Sequence, residues 1–186
     1  MRRRALWELG VALVLVPVAT LAGLRVNTSP SLPRGLYRQV PLNGRPLARG
    51  DLVLACPPLP AALLARARGY LPPGPCPGEV EPLGKVVLAI AGDGVELGTE
   101  GVSVDGRLVP RSRPLARDGR GRPLQSLVGR RYTLAAGEVW LFSPRHPRSF
   151  DSRVFGPVSG KAVRGRLVPL WVEDAGFRRR KAEGSR

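Results

Sequence analysis

From Ala5 to Leu24 the chain is apolar except for Glu8, and Arg2, Arg3 and Arg4 precede that run. About twenty helical residues span roughly 30 Å, the thickness of a bilayer's hydrocarbon core. The pattern therefore predicts one transmembrane helix. Basic residues on its amino-terminal side predict a cytoplasmic start and place everything after Leu24 outside. The alternative is a cleaved export signal, but Thr20-Leu21-Ala22 is a weak cleavage site and the run is long for that role, which favours a retained anchor. Either reading exports the rest of the chain.

Beyond the anchor the apolar positions come in short runs punctuated by turns. Leu36 to Val40 and Asp51 to Ala55 read as strands joined by a Pro/Asn/Gly turn. Alanine and leucine at helical spacing between prolines predict a short helix from Leu59 to Tyr70. Val86 to Ala91 is continuously apolar, as a strand buried on both faces would be, and Gly92-Asp93-Gly94 turns it into Val95 to Leu97. Asp105-Gly106 accepts the positive φ angles of a tight hairpin between Val102–Val104 and Arg107–Val109. Residues 111–122 read as a solvated basic loop, Tyr132–Leu134 and Glu138–Phe142 as a further hairpin, and Val158–Arg164 and Arg166–Val172 as closing strands. The expectation is a mainly β, antiparallel fold with one short helix. The division is residues 1–24 as cytoplasmic stub and anchor, 25–172 as exported domain and 173–186 as a charged tail.

Composition supports this picture. Twenty-three glycines and twenty prolines in 186 residues are too many for a helical bundle. Aromatics are sparse, which assigns core filling to Trp140, Phe142, Phe155 and Trp171. The formal charge of +16 would suit a nucleic-acid partner. Yet no zinc-finger spacing, stacking motif or helix-turn-helix pattern accompanies it, so no nucleic acid is expected. Only three of the 30 basic residues are lysine, Lys85, Lys161 and Lys181. In a chain that otherwise uses arginine, a lysine beside an apolar strand needs a reason, and the chemical difference is that lysine can lose its proton.

Cys56 and Cys76 are the two cysteines, and an exported location favours pairing them. A metal site would need further ligands, and the single histidine, His146, is poor support for one. No cofactor is expected.

Three strings carry candidate chemistry. Ser29-Pro30-Ser31-Leu32-Pro33 places serines beside residues that fix an unusual backbone, which can present a hydroxyl. Lys85 opens the apolar run and could act as a base if burial lowers its pKa. Ser149-Phe150-Asp151-Ser152-Arg153 offers hydroxyls and an ion pair to support it. Separately, each string also has an ordinary reading: a turn, a strand-edge lysine, a loop.

Followed by Val154-Phe155-Gly156, that third string resembles the Ser-x-Asp-Ser-Arg-x-x-Gly box of type I signal peptidases. The other strings then fall in that family's order, with Gly50-Asp51-Leu52-Val53 as its second box and Lys85 with Gly92-Asp93 as its general-base box. The resemblance runs from about Asn27 to Val172 and includes the anchor topology. Ser31-Leu32-Pro33-Arg34-Gly35-Leu36-Tyr37, the paired cysteines and Arg68-Gly69-Tyr70-Leu71 look more like the conjugative-transfer, TraF-type branch than the housekeeping enzymes. Ser143-Pro144-Arg145-His146 departs from the housekeeping Gly-Asp-Asn.

The resemblance implies a signal-peptidase-like β fold and a serine endopeptidase with Ser31 as nucleophile and Lys85 as general base. Ser29 and the Ser31 N–H would hold the oxyanion, Ser149 would orient the lysine, and Asp151 and Arg153 would form a structural ion pair. It further implies single-pass residence in the inner membrane with the domain outside. The implied partners are the lipid bilayer and membrane-bound precursors with small side chains before the cut, pilin among them. Two other readings stand beside it: a general signal peptidase for secreted proteins, and a non-catalytic exported β scaffold of a secretion or pilus assembly. A Ser-His-Asp triad using His146 is a further alternative for the chemistry.

Overall fold

The structure is a computed structural model and describes residues 23–173. The expected anchor lies outside the described residues except at its end, where Leu24 already belongs to a strand. Among the described residues no helix is long and apolar enough to cross a membrane.

Among the described residues eleven strands and two α-helices follow in order: β1 Leu24–Asn27, β2 Gly35–Val40, β3 Leu52–Ala55, α1 Leu59–Arg68, β4 Leu83–Ile90, β5 Gly94–Leu97, β6 Val102–Val104, β7 Arg107–Leu108, β8 Arg131–Thr133, β9 Glu138–Phe142, α2 Ser152–Phe155, β10 Val158–Ser159 and β11 Val163–Val172. A seven-stranded sheet has the order β1-β2-β11-β3-β4-β9-β10, and a four-stranded sheet the order β7-β6-β5-β8. Every pairing is antiparallel. The mainly β class holds.

The path differs from the sequence reading in instructive places. β2 and β3 are not neighbours, because β11 lies between them and pairs with both. Close approach there depends on Gly165, at φ +153°, where a Cβ would sit 2.7 Å from the Val40 carbonyl oxygen. Nor do β8 and β9 form a hairpin. β9 pairs with β4 in the large sheet while β8 pairs with β5 in the small one. The two chain segments cross between the sheets together, with the Gly92 N–H donating to Leu134 O at 2.8 Å and the Leu134 N–H to Asp93 O at 3.0 Å. β4 starts at Leu83 rather than Val86, and its burial alternates: Leu83, Lys85, Val87 and Ala89 are fully buried, the intervening residues only half-buried.

The Asp105-Gly106 turn is as read, with φ of 50° and 75°. α1 begins on prolines and stops at Gly69, which takes the left-handed conformation that releases a helix end. α2, one turn long, had no counterpart in the apolar pattern. The predicted strand from Val158 breaks into a 3-10 turn at Gly160–Ala162. The basic loop is not simply solvated. Ser112 is buried, and Asp118 joins Tyr70 and Arg122 in a hydrogen-bonded group.

The core has four parts. Ala89, Val95, Leu97, Val102 and Trp140 pack between the sheets. Val53, Val87, Val139, Leu141 and Val163 cover one face of the large sheet. Leu32, Tyr37, Leu52 and Leu167 form a third cluster, and the Cys56–Cys76 disulfide with Ala62 and Val80 a fourth that holds α1 to the sheet. Of the four aromatics assigned to the core, Trp140 and Phe142 are buried and Phe155 is half-buried. Trp171 is 70% exposed, while Tyr37 fills the interior instead.

Candidate active site

Ser31 sits in the loop between β1 and β2, and that loop is held from three directions. Asn27, the last residue of β1, donates through Nδ2 to the carbonyl oxygens of Ser29 (3.1 Å), Leu32 (3.1 Å) and Pro33 (3.0 Å). Its Oδ1 accepts from the Ser29 N–H (3.2 Å) and the Ser29 hydroxyl (2.8 Å). From below, Leu32 plugs into its apolar cluster and Gly84 leaves room for it, since a Cβ there would lie 3.1 Å from Leu32 Cδ1. The Tyr37 hydroxyl donates to Pro33 O at 2.7 Å, and burial pushes its pKa up to about 12, so it stays a donor. From the end of β9 the buried Ser143 hydroxyl donates to the Ser31 carbonyl oxygen at 2.7 Å. A chain segment with this many fixed carbonyls cannot drift, and the Ser31 side chain is held where the fold puts it.

Lys85 is the third residue of β4, paired across to Val53 and flanked on its own side by Leu83 and Val87. Only 2% of it is exposed. Its Nζ donates to Ser31 Oγ at 2.9 Å and to Ser149 Oγ at 2.9 Å, and the two hydroxyl oxygens are 3.5 Å apart. Burial in this apolar setting disfavours the ammonium and lowers the pKa to about 8. The negative charge of Asp151 pulls partly back upward and Arg153 pushes further down. An amine near pH 8 is neutral in a useful fraction of molecules at physiological pH. Once neutral it has one lone pair, which Ser31 Oγ–H can meet, while an N–H still donates to Ser149.

Ser149 is buried at the end of the loop that leads into α2. Asp151 caps that helix, accepting from the Arg153 N–H at 3.2 Å, and also accepts from the Ser143 N–H at 3.2 Å. Arg153 meets it in a two-pronged pair, Nε to Oδ1 at 2.8 Å and Nη2 to Oδ2 at 2.9 Å, and both side chains are buried. Such forked pairs fix geometry as well as charge. One carboxylate thus ties the Ser149 loop to Ser143, and Ser143 in turn ties to Ser31.

Ser31, Lys85, Ser149, Asp151 and Arg153 therefore converge. Ser29 lies beside them, exposed, with its hydroxyl proton engaged by Asn27. His146 contributes its backbone oxygen to the Ser149 N–H at 3.1 Å. The hydroxyl of Ser31 is met by Lys85 and Ser149, not by a histidine. The Cys56–Cys76 disulfide belongs to the α1 cluster. Sequence reasoning missed Asn27, Ser143 and Tyr37 as loop-holding residues. The signals were present, a polar residue four positions before Ser31 and a serine in place of the expected glycine, but neither says which carbonyl it will meet.

A cleft of about 550 Å³ runs past this group, walled by Ser29, Ser31, Leu32, Leu54, Lys85 and Leu167 among others. A hydroxyl, an amine of lowered pKa and an open cleft over both can support nucleophilic attack on a bound carbonyl.

The chain is similar to several known proteins. Residues 4–171 match the family described as signal peptidase, peptidase S26. A probable conjugal transfer protein TraF from Sinorhizobium fredii is 45% identical over 151 residues, 81% of this chain and 78% of that protein. A plasmid transfer protein TraF from Escherichia coli is 42% identical over 155 residues, 83% of this chain and 86% of that one. A conjugal transfer protein TraF from Agrobacterium tumefaciens is 45% identical over 175 residues, 91% and 97% respectively. Among solved structures, a signal peptidase I from Enterococcus faecalis aligns with a TM-score of 0.37 and 19% identity, over 67% of this chain and 98% of that one.

Proposed function

The chain belongs to the signal peptidase family, peptidase S26, and we propose that it is an exported, membrane-anchored serine endopeptidase that matures precursors used in plasmid transfer. The observation that carries the reading is the 2.9 Å approach of the Lys85 amine, its pKa lowered by burial, to the Ser31 hydroxyl.

Neutral Lys85 takes the proton from Ser31 Oγ as that oxygen attacks the scissile carbonyl. Charge develops on the carbonyl oxygen, where the Ser31 N–H and the Ser29 hydroxyl can meet it. Ser29 must first turn its proton away from Asn27, a short rotation of an exposed hydroxyl. Each such donor is typically worth about 3 kcal/mol. The lysine ammonium then returns its proton to the departing amine, leaving an ester on Ser31. Water, deprotonated by the same amine, cleaves that ester and frees serine and acid. Ser149 keeps the amine aimed throughout, and the Asp151–Arg153 pair keeps Ser149 in place.

The expected substrates are membrane-bound precursors with small side chains before the cut, pilin among them, and the transfer-protein relatives favour a role in plasmid transfer over the general secretome. The test is mass spectrometry of membrane-protein termini in cells carrying the wild-type chain, Ser31→Ala or Lys85→Arg. Arginine keeps the charge but cannot serve as a base. New termini should depend on both residues. Cleavage that survives either change would leave a non-catalytic scaffold as the better reading, and termini spread over many secreted proteins would favour a general signal peptidase.

A further inference from the structure

Beyond the cleft lies a second cavity, of about 330 Å³. The two share Tyr70, His146, Arg148, Ser149 and Phe150, so they meet at the residue that aims the lysine. We propose that this second cavity is a substrate subsite on the leaving side of the cut, and that it takes a bulky apolar side chain from the first few residues after the scissile bond. The inference rests on the serine-lysine reading above.

Direction follows from the chemistry. An amine that accepts the proton of Ser31 must deliver it to the departing nitrogen, so the departing chain leaves over Lys85. The acyl half stays on Ser31, against Ser29 and Pro30. Lys85 Nζ contacts Ser31 and, at the same 2.9 Å, Ser149. The second cavity opens beside Ser149, and a departing chain passing the amine runs towards it.

The walls select the class of side chain. Leu115, Leu124, Phe150 and Val154 all border the cavity, and each is only half-buried, apolar surface left uncovered by the fold. Of the charged side chains in the walls, Arg148 is exposed at the mouth shared with the cleft, and the others are already committed. Arg153 is held by Asp151, and Asp118 accepts from the Tyr70 hydroxyl at 2.5 Å and from Arg122 Nε at 2.7 Å. Those bonds also fix the outer wall. Asp118 pins its loop to Tyr70 and Arg122, and Arg68 Nη1 donates to Pro123 O at 2.8 Å from the other side. Phe150, tilted against Tyr70 and edge-on to Phe155 with ring centroids 5.3 Å apart in both pairs, borders both cavities. The space suffices for an aromatic ring, since apolar cavities of about 150 Å³ already admit benzene.

The test uses the full chain in detergent micelles with internally quenched peptides. All carry three alanines before the cut, and leucine, phenylalanine or tryptophan is walked through the first four positions after it against an all-alanine reference. One position should raise kcat/KM roughly tenfold, the low end of what an apolar pocket distinguishes. Leu124→Trp, which fills the cavity, should erase that preference, read as the ratio of kcat/KM on the preferred peptide to that on the all-alanine one. Leu124→Ala, which enlarges it, should move the preference towards tryptophan, and this decides the matter if the filled variant is inactive on every peptide. Equal kcat/KM at all four positions, or a preference untouched by both variants, overturns the subsite. Ser31→Ala, assayed in parallel, reports separately on the serine-lysine reading: if it cuts like wild type, that reading fails whatever the peptides show.

Discussion

The claim that burial keeps Lys85 neutral has a consequence for stability that needs no substrate. Below about pH 8 the lysine is protonated in both the folded and unfolded chain, and folding bears the full cost of a buried ammonium. Between about 8 and the ordinary value of 10.5 the unfolded chain holds a proton that the folded one has lost. Stability must therefore rise with pH through that window, by up to about 1.4 kcal/mol per pH unit, and level off above it. Lys85→Met keeps the length of the side chain and removes the titration. Integrated from pH 7 to pH 9.5, wild type should gain roughly 2 kcal/mol on the methionine variant. Whatever the methionine changes in packing is the same at both pH values and cancels. Urea unfolding of the two full-length proteins in the same detergent, followed by tryptophan fluorescence at pH 7 and 9.5, measures the difference. Curves that move in parallel between those pH values would refute the buried, depressed amine and with it the base in the mechanism.

Other expectations are simpler to check. kcat/KM on a peptide substrate should climb about tenfold per pH unit below pH 8 and flatten above it, as the Lys85 ammonium gives way to the amine. Asp151→Asn leaves Arg153 buried without its counter-charge and should cost about 3–5 kcal/mol in chemical denaturation. In whatever fraction folds, the acid limb of the rate profile should move to lower pH, because the carboxylate that pulls the lysine pKa upward is gone. Replacing both Cys56 and Cys76 by alanine opens a 20-residue loop and should lower stability by roughly 3 kcal/mol while leaving the dyad in reach. Loss of cleavage with unchanged unfolding would show that the α1 cluster does more than brace the sheet.

How far the sequence carries depends on how local the determining physics is. The Asp105-Gly106 hairpin and α1 follow from a few adjacent residues and both were legible, although α1 stops at Gly69 rather than running to Tyr70. β11 was placed correctly in sequence but not in space. Its partners β2 and β3 lie more than a hundred residues away, and no local pattern announces a strand that inserts between two others. Trp171 illustrates the same limit at one residue. The register of β11 against β2 slips between Pro169 and Trp171, and a slip of one position turns a side chain to the opposite face, so a residue that the scarcity of aromatics assigns to the core ends in solvent. Lys85 is the converse case. The strand was read as a continuous apolar run starting after it, because a charged residue occupies a core position of β4. That failure is informative. Burying an amine is unfavourable, and a fold that tolerates one gains nothing in stability from it. The misfit itself therefore points to chemistry. Asn27 and Ser143 break no pattern, being polar residues at loop and strand ends where polar residues belong. What they hold in place, the backbone on either side of Ser31, is visible only once the chain is folded around it.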